Sequence, residues 1–217
     1  MKIEIICSDP NHPVIAWLDR WAIEQRSRHD IRLIHRKAEL EGGDILFLVS
    51  CSEIIEASIR DRYRHVFVLH ASDLPEGRGW SPHVWAILGG AETVTVSLLD
   101  AEDKVDTGAI WAKRSFQVPK HALFDEIGAL LFETEIELMS EALALVARSA
   151  RPTPQPEVGA TYLERRRPEH SELDPQRSLA DLFDQIRVAD PVRYPAFFRL
   201  HGATYTIELK KKIDTDA

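Results

Sequence analysis

Short apolar runs alternate with amphipathic stretches through the first two thirds of this 217-residue chain. That alternation restricts the fold to strands and helices wound into one sheet, an α/β class. Ile-Leu-Phe-Leu-Val at 45–49, set between Asp44 and Ser50 after Gly42-Gly43, is the most apolar of these runs. It reads as a central strand buried on both faces, and the end of such a strand is a natural ligand position. Residues 2–7, 31–35, 66–69, 94–99 and 109–118 read as further strands, with His70 delivered at the carboxyl end of the fourth.

The intervening stretches carry helix signals. Asn11 is placed to cap a helix with Pro13 in its first turn and Val14, Trp17, Leu18 and Trp21 on one face. Residues 52–62 read as helical. Ser81-Pro82 reads as a capped start closed by Gly89-Gly90, and residues 71–80 between them as a loop. A long helix over 124–148 has Phe124, Ile127, Leu131, Leu138 and Leu145 on its core stripe. The proline-rich 151–156 cannot continue it. A boundary therefore falls here, giving a domain at 1–150 and an extension at 151–217 packed on it. The extension carries Arg165 to Arg167, a helix at 178–187 and an aromatic cluster of Tyr194, Phe197, Phe198 and Tyr205.

With 44% hydrophobic and 29% charged residues the chain is expected to fold on its own. Lys plus Arg number 27 against 35 Asp plus Glu, a formal net charge of -8, so nucleic acid is not an expected partner. Cys7 and Cys51 have no second Cys or His at ligand spacing, which points to no disulfide framework and no metal. The apolar run after Met1-Lys2 is too short for a signal peptide and no run approaches a membrane span. The expected location is the cytoplasm. Neither a dinucleotide fingerprint nor a P-loop is present.

The chemistry concentrates in residues 68–82 and 105–108. His70, Ser72, Leu74, Pro75, Arg78 and Gly79 in one block, then Asp106 and Gly108 in the next, resemble the N10-formyltetrahydrofolate-dependent formyltransferases. That family's pattern is Asn-x-His-x-Ser-x-Leu-Pro-x-x-Arg-Gly followed by Asp-x-Gly. The Gly-Trp-Ser-Pro ending at 79–82 and the tail over 166–174 and 186–198 are similar to the nucleotide-sugar branch rather than the methionyl-tRNA branch. The resemblance covers about residues 44 to 208. It implies a Rossmann-like formyltransferase sheet flanked by helices, N10-formyltetrahydrofolate as co-substrate, and a nucleotide-linked 4-amino-4,6-dideoxy sugar as acceptor, of the pseudaminic-acid type used in surface glycans. A homodimer is compatible with it. The family's catalytic Asn is Val68 here, and valine donates no hydrogen bond.

Formyl transfer to an amine needs an uncharged nucleophile, a stabilised oxyanion and a route for the amine's proton. His70 and Asp106 are the candidate catalytic pair, with their two roles left open. Ser72 either orients its loop or donates to the formyl oxygen, and Arg78 either anchors a substrate phosphate or braces the loop. Trp80 and Arg167 complete the expected substrate side, and the run Arg165 to Arg167 reads either as reaching a diphosphate or as a solvated face. The resemblance implies that Val49, Ser50 and Cys51, and the stretch from Asp100 through Asp103 to Lys104, hold the pteridine largely by main-chain groups. Three alternatives stand beside this reading: a relative of the tRNA formyltransferases, a folate or nucleotide-sugar binding protein without turnover, and a serine hydrolase on Ser72. The last lacks a nucleophile elbow.

Overall fold

The computed structural model describes residues 1–212. Six strands form one sheet in the order β2-β1-β3-β4-β6-β7. β1 (Lys2–Ile6), β2 (Asp30–Ile34), β3 (Gly43–Leu48) and β4 (Tyr63–His70) run parallel, whereas β6 (Thr93–Asp100) and β7 (Ile110–Gln117) are antiparallel additions. The parallel strands are the apolar runs of the sequence, and their alternate side chains feed two cores. Ile3, Ile5, Ile45, Phe47, Phe67 and Leu69 face α1 (Ile15–Gln25) and the long α4 (Phe124–Ala147). Ile6, Leu46 and Val66 face the thinner cover made by Leu40, Ile55 and Tyr63.

β1 is flanked by β2 on one side and β3 on the other, so the winding reverses between β1 and β3. A crevice opens outside the carboxyl ends of strands at such a point. The loops after β1, β3 and β4 all end there.

Local departures from the sequence expectations gather around that crevice. α1 starts at Ile15 rather than at Asn11, because Asp9 and His12 take the early amides: Asp9 Oδ1 accepts from the Asn11 N–H (2.9 Å) and His12 Nδ1 from the Val14 N–H (3.2 Å). Of the helix expected over 52–62 only α2 (Ala57–Arg60) forms. Upstream, the Ser52 N–H donates to Ser8 Oγ (3.0 Å) and Glu53 Oε1 accepts from the Lys37 N–H (3.1 Å), which holds the chain away from a helical path. Within the expected loop, β5 (Arg78–Gly79) pairs in parallel with β8 (Tyr162–Leu163). α3 (Pro82–Leu88) starts at Ser81, but this serine sits at φ 49° and caps nothing with its side chain.

After α4 the chain returns across the first 150 residues. Thr153 bridges Ile110, and the Arg187 guanidinium donates to the carbonyls of Pro119 and Ala122. α5 (Leu179–Arg187) is capped by Ser178, whose Oγ accepts from the Asp181 N–H at 3.2 Å. β9 (Ala196–Leu200) and β10 (Ala203–Ile207) close an antiparallel hairpin on which Phe198 and Tyr205 stack at 5.4 Å. Tyr194 leaves that cluster and lines the crevice. Among the described residues no helix is long and apolar enough to cross a membrane.

Candidate active site

The crevice is a cavity of about 1180 Å³ wrapped around the carboxyl edge of the sheet. Strand alternation divides it. Leu48, Val68 and His70 belong to the strand positions on the thinly covered face, while Leu69 belongs to the face that packs under α4. Residues 50–55 and 100–103 wall the first side, and residues 8–13, Trp17, Phe132 and Val188 the second.

His70 and Asp106 meet at this edge. His70 Nε2 lies 2.8 Å from the Gly77 carbonyl, which only accepts, so Nε2 carries a proton. Nδ1 then faces Asp106 Oδ2 at 3.5 Å. A lone pair on Nδ1 against a carboxylate repels, whereas a proton on Nδ1 makes the contact attractive. Both side chains are buried. Asp106 is fixed from two directions: Oδ2 also accepts from the Gly79 N–H (2.8 Å), and its carbonyl accepts from Gln155 Nε2 (2.9 Å). Among the described residues Oδ1 forms no hydrogen bond, and Asp106 lines the cavity.

Two glycines of the motifs are required by close contact, and Gly79 by its backbone conformation as well. A Cβ on Gly108 would sit 1.9 Å from the Asp100 carbonyl oxygen, and one on Gly79 (φ +102°) would sit 2.3 Å from that of Leu163. The first approach tucks the Asp106 loop against β6, and the second brings β5 onto β8 with the Gly79 amide on Asp106.

The other residues singled out in the sequence are placed as follows. Ser50, Cys51, Asp100, Asp103 and Trp80 line the cavity. Asp100 Oδ1 accepts from Trp111 Nε1 (2.7 Å), and burial pushes its carboxyl up from the ordinary aspartate value. Cys51 is likewise pushed up by burial. Asp103 pairs with Arg60. Val49 is fully buried beneath the wall, and Lys104 lies over the Tyr162 ring (5.6 Å) outside the cavity. Arg78 is buried and spends Nη2 on Gln155 (2.7 Å) and Nη1 on the Tyr162 hydroxyl (3.1 Å). It thus braces Gln155, which in turn holds the Asp106 loop. The Ser72 hydroxyl is enclosed without a partner while its carbonyl accepts from Ser97 Oγ (2.7 Å). Arg167 is exposed on Glu164 (3.0 Å).

Further residues line the cavity: two from the arginine run, and three, His12, His83 and Glu135, that were not singled out in the sequence. Arg165 lies over Trp80 at 4.7 Å, and Arg166 donates to Ser171 Oγ (3.1 Å) with its Nε buried and unpartnered. Neither forms an ion pair among the described residues, and burial pushes Arg166 down from its ordinary value. His12 and His83 line the cavity and are held neutral, each pushed down to about 4, mainly by burial and then by Arg193 and Arg166 respectively. Glu135 lines it too, and burial pushes its carboxyl up to about 8. The one signal for Glu135 in the sequence is a carboxylate on the buried stripe between Leu131 and Leu138. His12 and His83 carry none.

Residues 7–143 match the family described as Formyl transferase. The chain belongs to this family. Among its relatives, the mitochondrial 10-formyltetrahydrofolate dehydrogenase of Homo sapiens is 31% identical over 178 residues, covering 81% of this chain and 19% of the dehydrogenase. The chain thus spans about a fifth of that relative's length, and 48% of the methionyl-tRNA formyltransferase of Sorangium cellulosum. Among solved formyltransferase folds, the methionyl-tRNA formyltransferase of Clostridium thermocellum superposes with a TM-score of 0.83 at 25% identity, over 100% of this chain and 95% of that one. A likely sugar N-formyltransferase from Mycobacterium tuberculosis gives 0.73 at 17%, over 99% of both chains, a likeness of fold. The match places the His70 block, the Asp106 loop and most of α4 inside the formyl transferase domain.

Proposed function

We propose that this chain transfers the formyl group of N10-formyltetrahydrofolate to the amine of a nucleotide-linked 4-amino-4,6-dideoxy sugar. The observation that carries the reading is the buried approach of His70 Nδ1 to Asp106 Oδ2 (3.5 Å) on the sheet edge that separates the two sides of the cavity. The thin-cover side suits the folate. A flat heterocycle with polar edges fits between the apolar Leu48, Ile55 and Ala101 and the backbone of residues 50–52 and 101–103. Ser50, Cys51, Asp100 and Asp103 belong to this wall; Val49 supports it from beneath.

The acceptor enters from the α4 side. Arg165 and Arg166 stand at the cavity without carboxylate partners, and a guanidinium in that condition is matched by the oxygens of a diphosphate. Trp80 supplies a flat face beside them. In this arrangement the substrate anion falls to Arg165 and Arg166 rather than to Arg78 or Arg167, whose guanidiniums are engaged elsewhere.

The chemistry follows from which atoms are free. The amine nitrogen attacks the formyl carbon, and its excess proton passes to Asp106 Oδ1, the carboxylate atom left for the cavity. His70, tied through Nε2 to the Gly77 carbonyl, sets Nδ1 against Asp106 Oδ2 and so positions the carboxylate that takes the proton. As the intermediate collapses, the bond from the formyl carbon to N10 breaks and the proton is returned to N10, giving the formamide and tetrahydrofolate. Atoms and charge balance without a further reactant.

Nucleotide amino sugars carrying UDP, GDP or dTDP, incubated with the formyl donor and followed by tetrahydrofolate release, test the substrate class. Turnover with one of them is expected, with a loss of about 10²–10⁴-fold in His70→Ala. Turnover confined to methionyl-tRNA, the acceptor named for the Clostridium thermocellum relative, would overturn it.

A further inference from the structure

α4 turns Gly128, Leu131, Phe132 and Glu135 toward the cavity, a stripe at i, i+3, i+4 and i+7. Three of these suit an apolar wall. Glu135 does not: it is only 5% exposed, Oε2 is enclosed without a partner, and no hydrogen bond to its side chain is formed among the described residues. The same fold satisfies another buried carboxylate. Glu4, at 0% exposure in β1, receives Arg32 (3.0 Å), the Tyr63 hydroxyl and the N–H groups of Glu41 (3.1 Å) and Gly42 (3.3 Å). A carboxyl left bare at the floor of a cavity is therefore set apart from the chain's structural pattern.

Its surroundings define what would meet it. Trp17 and His12 pack on Phe132 with ring centroids at 6.4 and 5.8 Å, giving aromatic walls. Arg193 on this side is already paired with Asp190 and Asp9. Buried among these groups, the Glu135 carboxyl stays protonated at neutral pH and offers one O–H donor and one carbonyl acceptor. An apolar chamber with one neutral donor and acceptor accepts a methyl beside a hydroxyl or amide and rejects a charged group.

We propose that Glu135 is a specificity-determining residue of the acceptor side, its carboxyl hydrogen-bonding an uncharged hydroxyl or amide next to a sugar methyl that packs on Trp17 and Phe132. The proposal rests on the amino-sugar reading above. It adds to that reading a site on the opposite face of the sheet edge from the proposed folate wall, with a named recognition group.

The test is steady-state kinetics on the full chain for wild type, Glu135→Leu and Glu135→Gln. The acceptors are a nucleotide-linked 4-amino-4,6-dideoxyhexose and its 6-hydroxy counterpart, and circular dichroism melts confirm folding. Wild type should favour the 6-deoxy acceptor by about tenfold or more in kcat/KM. Glu135→Leu should raise the acceptor KM about tenfold while leaving the donor KM within about twofold, and Glu135→Gln, which keeps a donor and an acceptor, should recover most of the loss. An acceptor KM in folded Glu135→Leu within about twofold of wild type overturns the proposal while leaving the amino-sugar reading intact. Failure of wild type to formylate any nucleotide amino sugar overturns both.

Discussion

Replacing Glu135 by glutamine should remove a fall in stability as the pH rises from about 6.5 to 8. Burial moves this carboxyl from an ordinary value of 4.5 up to about 8. The native chain thus holds a proton that the unfolded chain gives up at about 4.5. With the folded value raised, the contribution is complete below the unfolded value and is lost as the pH rises through the folded one. Between about pH 6.5 and 8 the unfolded chain is ionised here and the native chain still protonated. Each unit of pH in that window costs about 1.36 kcal/mol, or about 2 kcal/mol across it. For a chain of this size that is a melting temperature lower by about 4–8 °C. Glutamine has no proton to lose, so the variant should show no such slope.

The comparison isolates the one group. His12 and His83, pushed down to about 4, lower stability as the pH falls below their unfolded value of 6.5, on the opposite side of neutrality, and they are common to both proteins. Cys7, pushed up to about 11, titrates above the window. Urea unfolding of both proteins without ligand, at several pH values from about 6.5 to 8, gives the difference directly. If the gap between wild type and Glu135→Gln stays constant within about 0.5 kcal/mol over this range, Glu135 is ionised in the native protein, and the neutral donor and acceptor assigned to it does not exist.

Two substitutions probe the reacting edge. Asp106→Asn keeps the shape and the acceptor atom for the Gly79 amide but takes no proton, so formyl transfer should drop by about 10²–10⁴-fold with folate binding retained; normal turnover across the pH range would make the carboxylate purely structural. Val68→Asn puts an amide where valine lines the cavity, and it should leave turnover within about threefold of wild type if the oxyanion is already stabilised without that amide. A rise of tenfold or more in a well-folded variant would mean that the site lacks a donor worth about 10²–10³-fold.

How much of this was legible in the sequence depends on how the residues of each half are distributed along the chain. His70, Gly79, Asp106 and Gly108 fall in two short stretches with fixed spacing; the contact that demands Gly108, on Asp100, is local to them, whereas the one that demands Gly79, on Leu163, comes from β8 far along the chain. The parallel strands were equally plain, because burial on both faces makes a strand apolar throughout. The helix expected over 52–62 failed for a reason no periodicity contains: Ser8 and Lys37, brought alongside by the sheet, bond the chain there before it can coil. Arg78 looked like a phosphate anchor because its type allows it, and only the packing of β5 on β8 commits it to Gln155 and Tyr162.

The α4 side of the cavity is the opposite case. It is assembled from the loop after β1, from the start of α3, from one stripe of α4, and from residues 165–166 and 188–194 of the extension. No spacing rule joins these segments; only the fold does. Yet its most informative member left a mark in the one-dimensional pattern, a carboxylate on the buried stripe between Leu131 and Leu138, where a leucine would pack without a polar cost. An unpartnered carboxyl in such a position costs about 1–3 kcal/mol in the empty protein, an expense the pairing of Glu4 shows this fold can avoid. A ligand that completes Glu135's hydrogen bonds recovers that cost on binding, and one that cannot leaves it unpaid, so discrimination on the acceptor side follows from the same burial that destabilises the free chain.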